Sequence, residues 1–203
     1  SNEEYLTLAR WFEGQQQFEK AGRLYERCEQ WAQALKLYLR CGGAMLDRAI
    51  EVVGRAGNDE LTAQLVDHLM GESDGVQKDN DYLFRLHMAL GNFEQAARTA
   101  VVMARQEQET GNYKAAHAQM LDTVRELQRQ GRRTPNELSR QLMLLHSYVL
   151  VKTQIKLNRH DAAARLLVRV ARNIARFPAH VGPILPSPGI ACVRAGFKTL
   201  AHE

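Results

Sequence analysis

The sequence contains one short motif twice, first as Gly91-Asn92-Phe93-Glu94-Gln95-Ala96 and then as Gly111-Asn112-Tyr113-Lys114-Ala115-Ala116. In each copy a Gly-Asn pair precedes an aromatic residue, and an alanine follows three positions after the aromatic. Gly and Asn tolerate the left-handed backbone that ends one helix, and Asn can cap the next helix. The aromatic and the alanine share one helical face, where the small alanine lets a second helix approach closely. The motif therefore predicts a tetratricopeptide-like helical hairpin, and its repetition predicts a solenoid.

The same repeat motif occurs in three further places with different turn residues. Phe18-x-x-Ala21-x-x-x-Tyr25 matches Trp31-x-x-Ala34-x-x-x-Tyr38 position for position, and a weaker copy spans residues 158–163. The intervals between copies are uneven, so we expect degenerate hairpins of unequal length. The aromatic rings are expected in the hairpin cores, although such rings can also form a ligand cage. The residues predicted to pack the hairpins are Phe18, Ala21, Tyr25, Trp31, Ala34, Tyr38, Phe93, Ala96, Tyr113, Ala116 and Ala163.

The rest of the sequence is typical of an all-α protein. Four of the five prolines fall between Pro178 and Pro188, and the first 134 residues contain none, which favours uninterrupted helices. Strand-like alternation of apolar and polar residues is nearly absent. We predict about ten to twelve helices in a right-handed superhelix. Residues 1–177 are predicted to form the repeats, and residues 178–203 a proline-rich turn and the final helix of the same truncated solenoid.

The charged residues are unevenly distributed along the chain. Residues 1–100 contain 11 Lys and Arg against 16 Asp and Glu, a net charge of −5. Residues 101–203 contain 16 Lys and Arg against 7 Asp and Glu, a net charge of +9. The second half is therefore suited to attract an acidic partner.

Four arginines of the basic half are predicted to form a stripe along one helix. The spacing of Arg165, Arg169, Arg172 and Arg176 places them on one face of a helix that begins near Asp161 and closes at Phe177. The apolar residues on the opposite face are Leu167, Val170 and Ile174. The helix is therefore amphipathic, with the arginine stripe facing away from the core.

The arginine stripe is a candidate partner-binding surface. A second basic row lies nearby in sequence and consists of Lys152, Lys156 and Arg159. The two rows can be a solvated face, or they can bind an acidic protein, anionic lipid headgroups or nucleic acid. Nucleic-acid binding normally uses exposed aromatic residues or a recognition helix, and neither pattern is visible.

No group of residues predicts enzymatic or metal chemistry. The seven histidines form no H-E-x-x-H pattern, and no nucleotide-binding glycine motif or nucleophile elbow occurs. The three cysteines are widely spaced, which indicates a reducing compartment and argues against a disulfide framework or a zinc site. His146 follows Leu144 and Leu145, so we expect it to be a buried core residue. We predict no catalytic, cofactor-binding or metal-binding residues and no transmembrane segment.

Several longer stretches carry a specific family resemblance. They are Gln64–Gly75, Tyr82–Leu90, Ala104–Gln108, Gly111–Tyr113, Leu145–Lys152 and Phe177–Leu185. In order and with few gaps, they resemble the C-terminal tetratricopeptide-like region of the WD-repeat subunit of intraflagellar transport complex A, of the one-forty-four-kilodalton type. The resemblance covers most of residues 15–200 and rests on the length of the matching runs.

The resemblance implies a fragment of a larger scaffold. Such proteins begin with β-propellers, continue as a tetratricopeptide-like solenoid and end in a cysteine-rich zinc module, and this sequence contains only the solenoid. The family acts in retrograde ciliary transport, ciliary entry of membrane proteins and cilium assembly. Its solenoid packs against other subunits of the complex. The resemblance therefore implies a non-enzymatic interaction module located at the cilium or flagellum, the ciliary base and the cytoplasm.

Two other classes of function stay open at this point. One is a generic basic helical-repeat adaptor or nucleic-acid-binding protein, and salt-dependent binding to random oligonucleotides would favour it. The other is a hydrolase without a recognisable motif, and a deep pocket holding a histidine or carboxylate with a shifted pKa would favour it.

Overall fold

The computed structural model describes residues 2–180, except for the side chains of Lys152 and His180. The ten α-helices of this part are α1 (Asn2–Gly14), α2 (Phe18–Arg27), α3 (Trp31–Arg40), α4 (Leu46–Ala56), α5 (Asp59–Met70), α6 (Asn80–Ala89), α7 (Phe93–Glu109), α8 (Tyr113–Arg129), α9 (Asn136–Lys156) and α10 (His160–Ala171). Consecutive helices pack against each other from α1 to α6 and from α8 to α10, which confirms the predicted all-α, tetratricopeptide-like fold. The final helix predicted after Gly189 lies outside the described residues.

All five copies of the repeat motif begin with the same turn. The residue two positions before the motif's first large side chain has a positive φ, between 54° and 82°, in every copy: Gln16, Glu29, Gly91, Gly111 and Asn158. The amide of the next residue then donates to the carbonyl five residues back, at 2.8–3.0 Å, as in a Schellman motif. The copies without glycine therefore keep the turn geometry of the Gly-Asn copies.

The Asn of the Gly-Asn pair does not cap the following helix in the second copy. Asn112 is the N-cap residue of α8, but its side chain makes no capping hydrogen bond. Its side-chain amide nitrogen instead donates to the hydroxyl of Thr110 at 3.1 Å. The expectation that Asn caps the next helix is thus wrong at this turn. The turn is stabilised instead by the Schellman hydrogen bond from the Asn112 backbone amide to the Glu107 carbonyl at the end of α7.

The first compact unit of the chain spans residues 1–96. Helices α1 to α4 pack in order, and α6 packs against α4. The motif residues Ala21, Ala34 and Tyr38 have no exposed surface, while Phe18 and Trp31 are partly buried against the same core. Small residues at the helix contacts therefore let large rings of the neighbouring helix fill the space between them.

The second compact unit spans residues 97–203, of which the structure describes those up to 180. Helix α9 packs against both α8 and α10. Three rings, those of Tyr113, Tyr148 and Phe177, contact one another with centroids 4.9–5.2 Å apart. Ala116 and Ala163 are completely buried, as is Ala96 in α7, the helix in which the boundary between the units falls. The predicted domain boundary at residues 177 and 178 stays a prediction.

Helix α10 is shorter than the sequence predicted. It ends at Ala171, and the chain continues through a 3-10 turn at Ile174–Arg176 and another at Pro178–His180. The side-chain amide of Asn173 donates to the carbonyl of Arg169 at 2.9 Å. Phe177 is fully buried against Tyr113 and Tyr148. The packing of Phe177 against rings of α8 and α9 accompanies the change from α-helix to 3-10 turns, so the prediction of one helix as far as Phe177 is wrong.

Candidate partner-binding cleft

The predicted arginine stripe is divided between a helix and the turns that follow it. Arg165 and Arg169 lie on α10, Arg172 is the residue after its end, and Arg176 closes the 3-10 turn. The first three side chains are exposed, and that of Arg176 is half-buried. The four arginines therefore do not share one continuous helix face, which corrects the stripe predicted from their spacing.

The apolar side of the same segment faces the core of the second unit. Leu167 is 5% exposed and Val170 is completely buried, whereas Ile174, beyond the helix end, is only partly buried. The second basic row lies at the far end of the α9–α10 hairpin. Lys156 and Arg159 are exposed there, and the side chain of Lys152 lies outside the described part of the chain.

Two arginines of the predicted stripe line a cleft between α9 and the segment that begins with α10. The cleft has a volume of about 370 Å³, and its lining consists of Arg140, Gln141, Met143, Leu144, Arg169, Asn173 and Arg176. Arg140 comes from α9 and was not among the predicted residues. Arg165 and Arg172 are absent from the lining. We call this feature the arginine cleft.

Buried polar groups contact the side chain of Arg169 and the backbone of Arg176. The Arg169 guanidinium donates to the hydroxyl of Ser147 at 3.0 Å, and Ser147, only 1% exposed, donates to the carbonyl of Met143 at 2.8 Å. The side-chain amide of Gln108, itself 4% exposed, donates to the backbone carbonyl of Arg176 at 2.7 Å. The Arg169 guanidinium and the backbone of Arg176 are therefore fixed by hydrogen-bonding partners that are themselves buried.

One carboxylate stands beside the three guanidinium groups of the arginine cleft. Glu137 forms an ion pair with Arg140 and accepts a hydrogen bond from Gln141 at 2.8 Å. The hydrogen bonds from Gln141 and Arg140 hold the pKa of Glu137 below its usual value, and Arg176 contributes electrostatically. Three positive charges against one negative charge leave an excess suited to a carboxylate ligand, which arginine can bind through two parallel hydrogen bonds.

An exposed apolar side chain adjoins these charges. Met143 lies in the lining of the arginine cleft and is 56% exposed. Its flexible thioether suits contact with varied apolar partners. The arginine cleft therefore combines guanidinium groups with an exposed methionine, and its lining contains no aromatic ring of the kind on which single-stranded nucleic acids stack.

The histidine that the sequence assigned to the core is exposed. His146 lies on the outer side of α9, because Leu144 and Leu145 beside it occupy the core face. Its Nδ1 lies 3.0 Å from Nε2 of His117 on α8, and the two rings stack with centroids 5.1 Å apart. Burial, and secondly the charge of His146, lower the pKa of His117. The described residues hold no group of three or more potential metal ligands around this pair or elsewhere.

Comparison with known proteins identifies close relatives of the chain. It is 47% identical over its whole length to WD repeat-containing protein 19 of Mus musculus and 46% identical to that of Homo sapiens. It is 42% identical over 70% of its length to WD repeat-containing protein dyf-2 of Caenorhabditis elegans. The chain spans 15% of the length of the mouse and human proteins and 10% of dyf-2. No family model matches the chain.

Between residues 2 and 180, no helix has the length and apolar character that crossing a membrane requires.

Proposed function

Because the chain belongs to the family of WD repeat-containing protein 19, we propose that it is a protein-docking segment of the WD-repeat subunit of intraflagellar transport complex A. The observation that carries this proposal is the 47% identity over the whole chain. Tetratricopeptide-like hairpins present extended surfaces to other proteins and need no catalytic group to do so. The names of the relatives indicate no catalytic family.

The segment acts as a non-enzymatic scaffold within the complex. Its role is to support retrograde transport along the cilium, the entry of membrane proteins into the cilium and cilium assembly. The protein is located in the cilium or flagellum, and also at the ciliary base and in the cytoplasm. Its partners are the other subunits of intraflagellar transport complex A.

The arginine cleft is the surface through which the second unit docks an acidic segment of a neighbouring subunit. Arg169 and Arg176 supply charge from one side, Arg140 supplies it from α9, and Met143 supplies apolar contact. The buried anchors Ser147 and Gln108 limit the conformations of this surface before binding. Preorganisation of this kind reduces the entropy that a partner loses on association.

The role in the complex is tested in cells that lack their own copy of the protein. A tagged full-length relative is compared with a version in which the part aligned to residues 2–180 is replaced by a flexible linker of equal length. The proposal predicts that the linker version retains fewer of the other complex subunits in affinity purification and fails to restore retrograde transport. Full retention and normal cilia with the linker version would refute it.

The alternative of nucleic-acid binding is examined with the 203-residue chain itself. Random oligonucleotides are titrated at about 50 and 200 mM salt, because an electrostatic nucleic-acid binder loses affinity steeply over that range. Measurable affinity with a steep salt dependence would favour a general nucleic-acid-binding function over docking within the complex. The proposed function predicts no saturable binding at the higher salt concentration.

A further inference from the structure

A second cationic groove lies in the first compact unit, between α1, α2 and α4, and we call it the α1–α2–α4 groove. It has a volume of about 490 Å³. Its apolar lining consists of Leu8, Phe12 and Leu24. Its positively charged lining consists of Lys20, Arg23, Arg27, Arg48 and Arg55. Glu26 is the one carboxylate among its lining residues.

This groove concentrates positive charge in the acidic half of the chain. Residues 1–100 carry a net charge of −5, from 11 Lys and Arg against 16 Asp and Glu. Five of those 11 cations line the α1–α2–α4 groove. The charge balance along the sequence does not reveal this groove, because folding gathers cations from α2 and α4 that are about 30 residues apart.

A buried carboxylate fixes the two arginines that α4 contributes. Glu26 is only 9% exposed and accepts hydrogen bonds from the hydroxyl of the fully buried Tyr38 at 2.9 Å and from the guanidinium of Arg55 at 2.8 Å. A guanidinium nitrogen of Arg48 lies 3.6 Å from the same carboxylate. Because a buried charge must be paired, this network holds Arg48 and Arg55 at the groove.

The charge in the groove exceeds what its carboxylates neutralise. Arg23 pairs with Glu19 at 2.6 Å, and Glu51 lies 2.8 Å from Arg48 and 3.8 Å from Arg55. Together with Glu26, these are three carboxylates against five cations, which leaves a charge of +2. The pairs with Glu19 and Glu51 are exposed, and exposed ion pairs are weak enough for a ligand carboxylate to compete with them.

The surplus charge lies on α2. The Lys20 ammonium is 5.5 Å from the centre of the Phe12 ring. Arg27 is the last residue of α2 and is exposed. Neither cation forms an ion pair with a carboxylate among residues 2–180. Leu8, 42% exposed, lies in the same lining, so unneutralised charge and accessible apolar surface stand side by side.

We infer that the α1–α2–α4 groove binds an acidic peptide segment of another protein that carries an apolar side chain. Carboxylates of the segment contact Lys20 and Arg27, and its apolar side chain contacts Leu8 and Phe12. The charge complementarity selects acidic sequences, and the apolar lining selects those that also bring a leucine or phenylalanine. This binding site shares no lining residue with the arginine cleft. The inference therefore does not depend on whether the arginine cleft docks a complex subunit.

The inference is tested by fluorescence anisotropy with the 203-residue chain. The probe is the fluorescein-labelled peptide Glu-Asp-Glu-Leu-Phe-Asp-Glu-Glu, and a second probe replaces its Leu and Phe with Ser. The Arg27→Glu variant changes an exposed groove cation. The Lys36→Glu variant makes the same charge change at an exposed lysine of α3 outside the groove. Circular dichroism checks that both variants are folded. If Arg27→Glu is unfolded, Lys20→Glu is used in its place.

Every chain in this experiment carries Arg169→Glu and Arg176→Glu, so that the probe does not bind at the arginine cleft. The reference chain, with no further substitution, is expected to bind the first probe saturably at about 50 mM salt. Arg27→Glu should weaken this binding roughly tenfold, which corresponds to about 1.4 kcal/mol, and Lys36→Glu should change it less than about twofold. The serine probe should bind at least about fivefold more weakly. No saturable binding by the reference chain, or equal losses in the two variants, would overturn the inference. Arg27-dependent binding to phosphatidylserine vesicles without peptide binding would also overturn it, in favour of a lipid site.

Discussion

The packing around Gly22 in the first unit allows a specific prediction of how a substitution changes the free energy of unfolding. Gly22 lies inside α2, and a Cβ added there would lie 2.6 Å from Cε1 and 3.0 Å from Cδ1 of Tyr38. Carbon atoms in contact normally lie about 3.5–4.0 Å apart, so the ring would have to move by roughly 1 Å. Tyr38 has no exposed surface, and the buried Glu26 holds its hydroxyl at 2.9 Å. The ring therefore has little freedom to move.

The Gly22→Ala substitution sets two effects against each other. Alanine is favoured over glycine inside a helix by about 1 kcal/mol. Overpacking a filled core costs about 1–3 kcal/mol, and distorting the hydrogen bond from Tyr38 to the charged Glu26 adds to that cost. We expect a net loss of about 1–2 kcal/mol in the free energy of unfolding. Gly54→Ala is the matched control, because its new Cβ would lie 3.4 Å from the nearest atom, Cβ of Ala89. This substitution should stabilise the fold by about 0.5–1 kcal/mol.

Urea denaturation followed by far-UV circular dichroism measures both variants. The two free-energy changes should have opposite signs. In a Tyr38→Phe background the ring loses its hydrogen bond to Glu26 and can shift more easily, so the cost of Gly22→Ala should fall by about 1 kcal/mol. Equal stabilisation by Gly22→Ala and Gly54→Ala would refute the claim that Tyr38 is held in place. An unchanged cost in the Tyr38→Phe background would refute the role of the hydrogen bond.

Three further predictions concern the repeat turns, the hairpin contacts and the dependence of stability on pH. Glu29→Gly should raise the free energy of unfolding by about 0.5–1 kcal/mol in urea denaturation, because Glu29 adopts a φ of 57° that glycine tolerates better. Ala116→Phe should lower it by about 1–3 kcal/mol, since Ala116 is completely buried, and an unchanged melting temperature would contradict the hairpin contact. Burial and the neighbouring His146 lower the pKa of His117 below its ordinary value of 6.5, so the unfolded chain takes up a proton at a higher pH than the folded chain. Stability should therefore fall as the pH drops through 6.5, and His117→Gln should reduce that fall in melts recorded between about pH 7.5 and 5.5.

The helical hairpins could be predicted because their signal is local. An aromatic residue and an alanine three positions later lie on one helix face, and this spacing is visible in the sequence. The turns were harder to recognise where glycine is missing. Gln16 and Glu29 adopt the left-handed backbone that Gly91 and Gly111 adopt, although neither residue type favours it. The hydrogen bonds of the Schellman turn and the packing of the flanking helices impose that conformation on them.

The binding surfaces could be predicted only in part, because distant residues form them. Arg140 precedes Arg169 by 29 positions and meets it only through the packing of α9 against α10. The end of α10 also depends on tertiary structure, since the burial of Phe177 redirects a segment that contains neither glycine nor proline before Pro178. In the first unit, Arg55 reaches Glu26 of α2 across the packed helices. No local pattern in the sequence indicates these contacts.

Charge reversal within the full-length protein tests most directly whether the arginine cleft docks an acidic partner. Arg169→Glu with Arg176→Glu changes the cleft, whereas Arg165→Glu with Arg172→Glu makes the same charge change at stripe residues that do not line it. Retention of the other subunits of intraflagellar transport complex A is measured by co-purification at about 50 and 300 mM salt. We predict a roughly tenfold loss for the cleft pair at the lower salt, a smaller loss at the higher salt because of screening, and little change for the control pair. Equal retention of the subunits by both double variants would contradict docking through the arginine cleft.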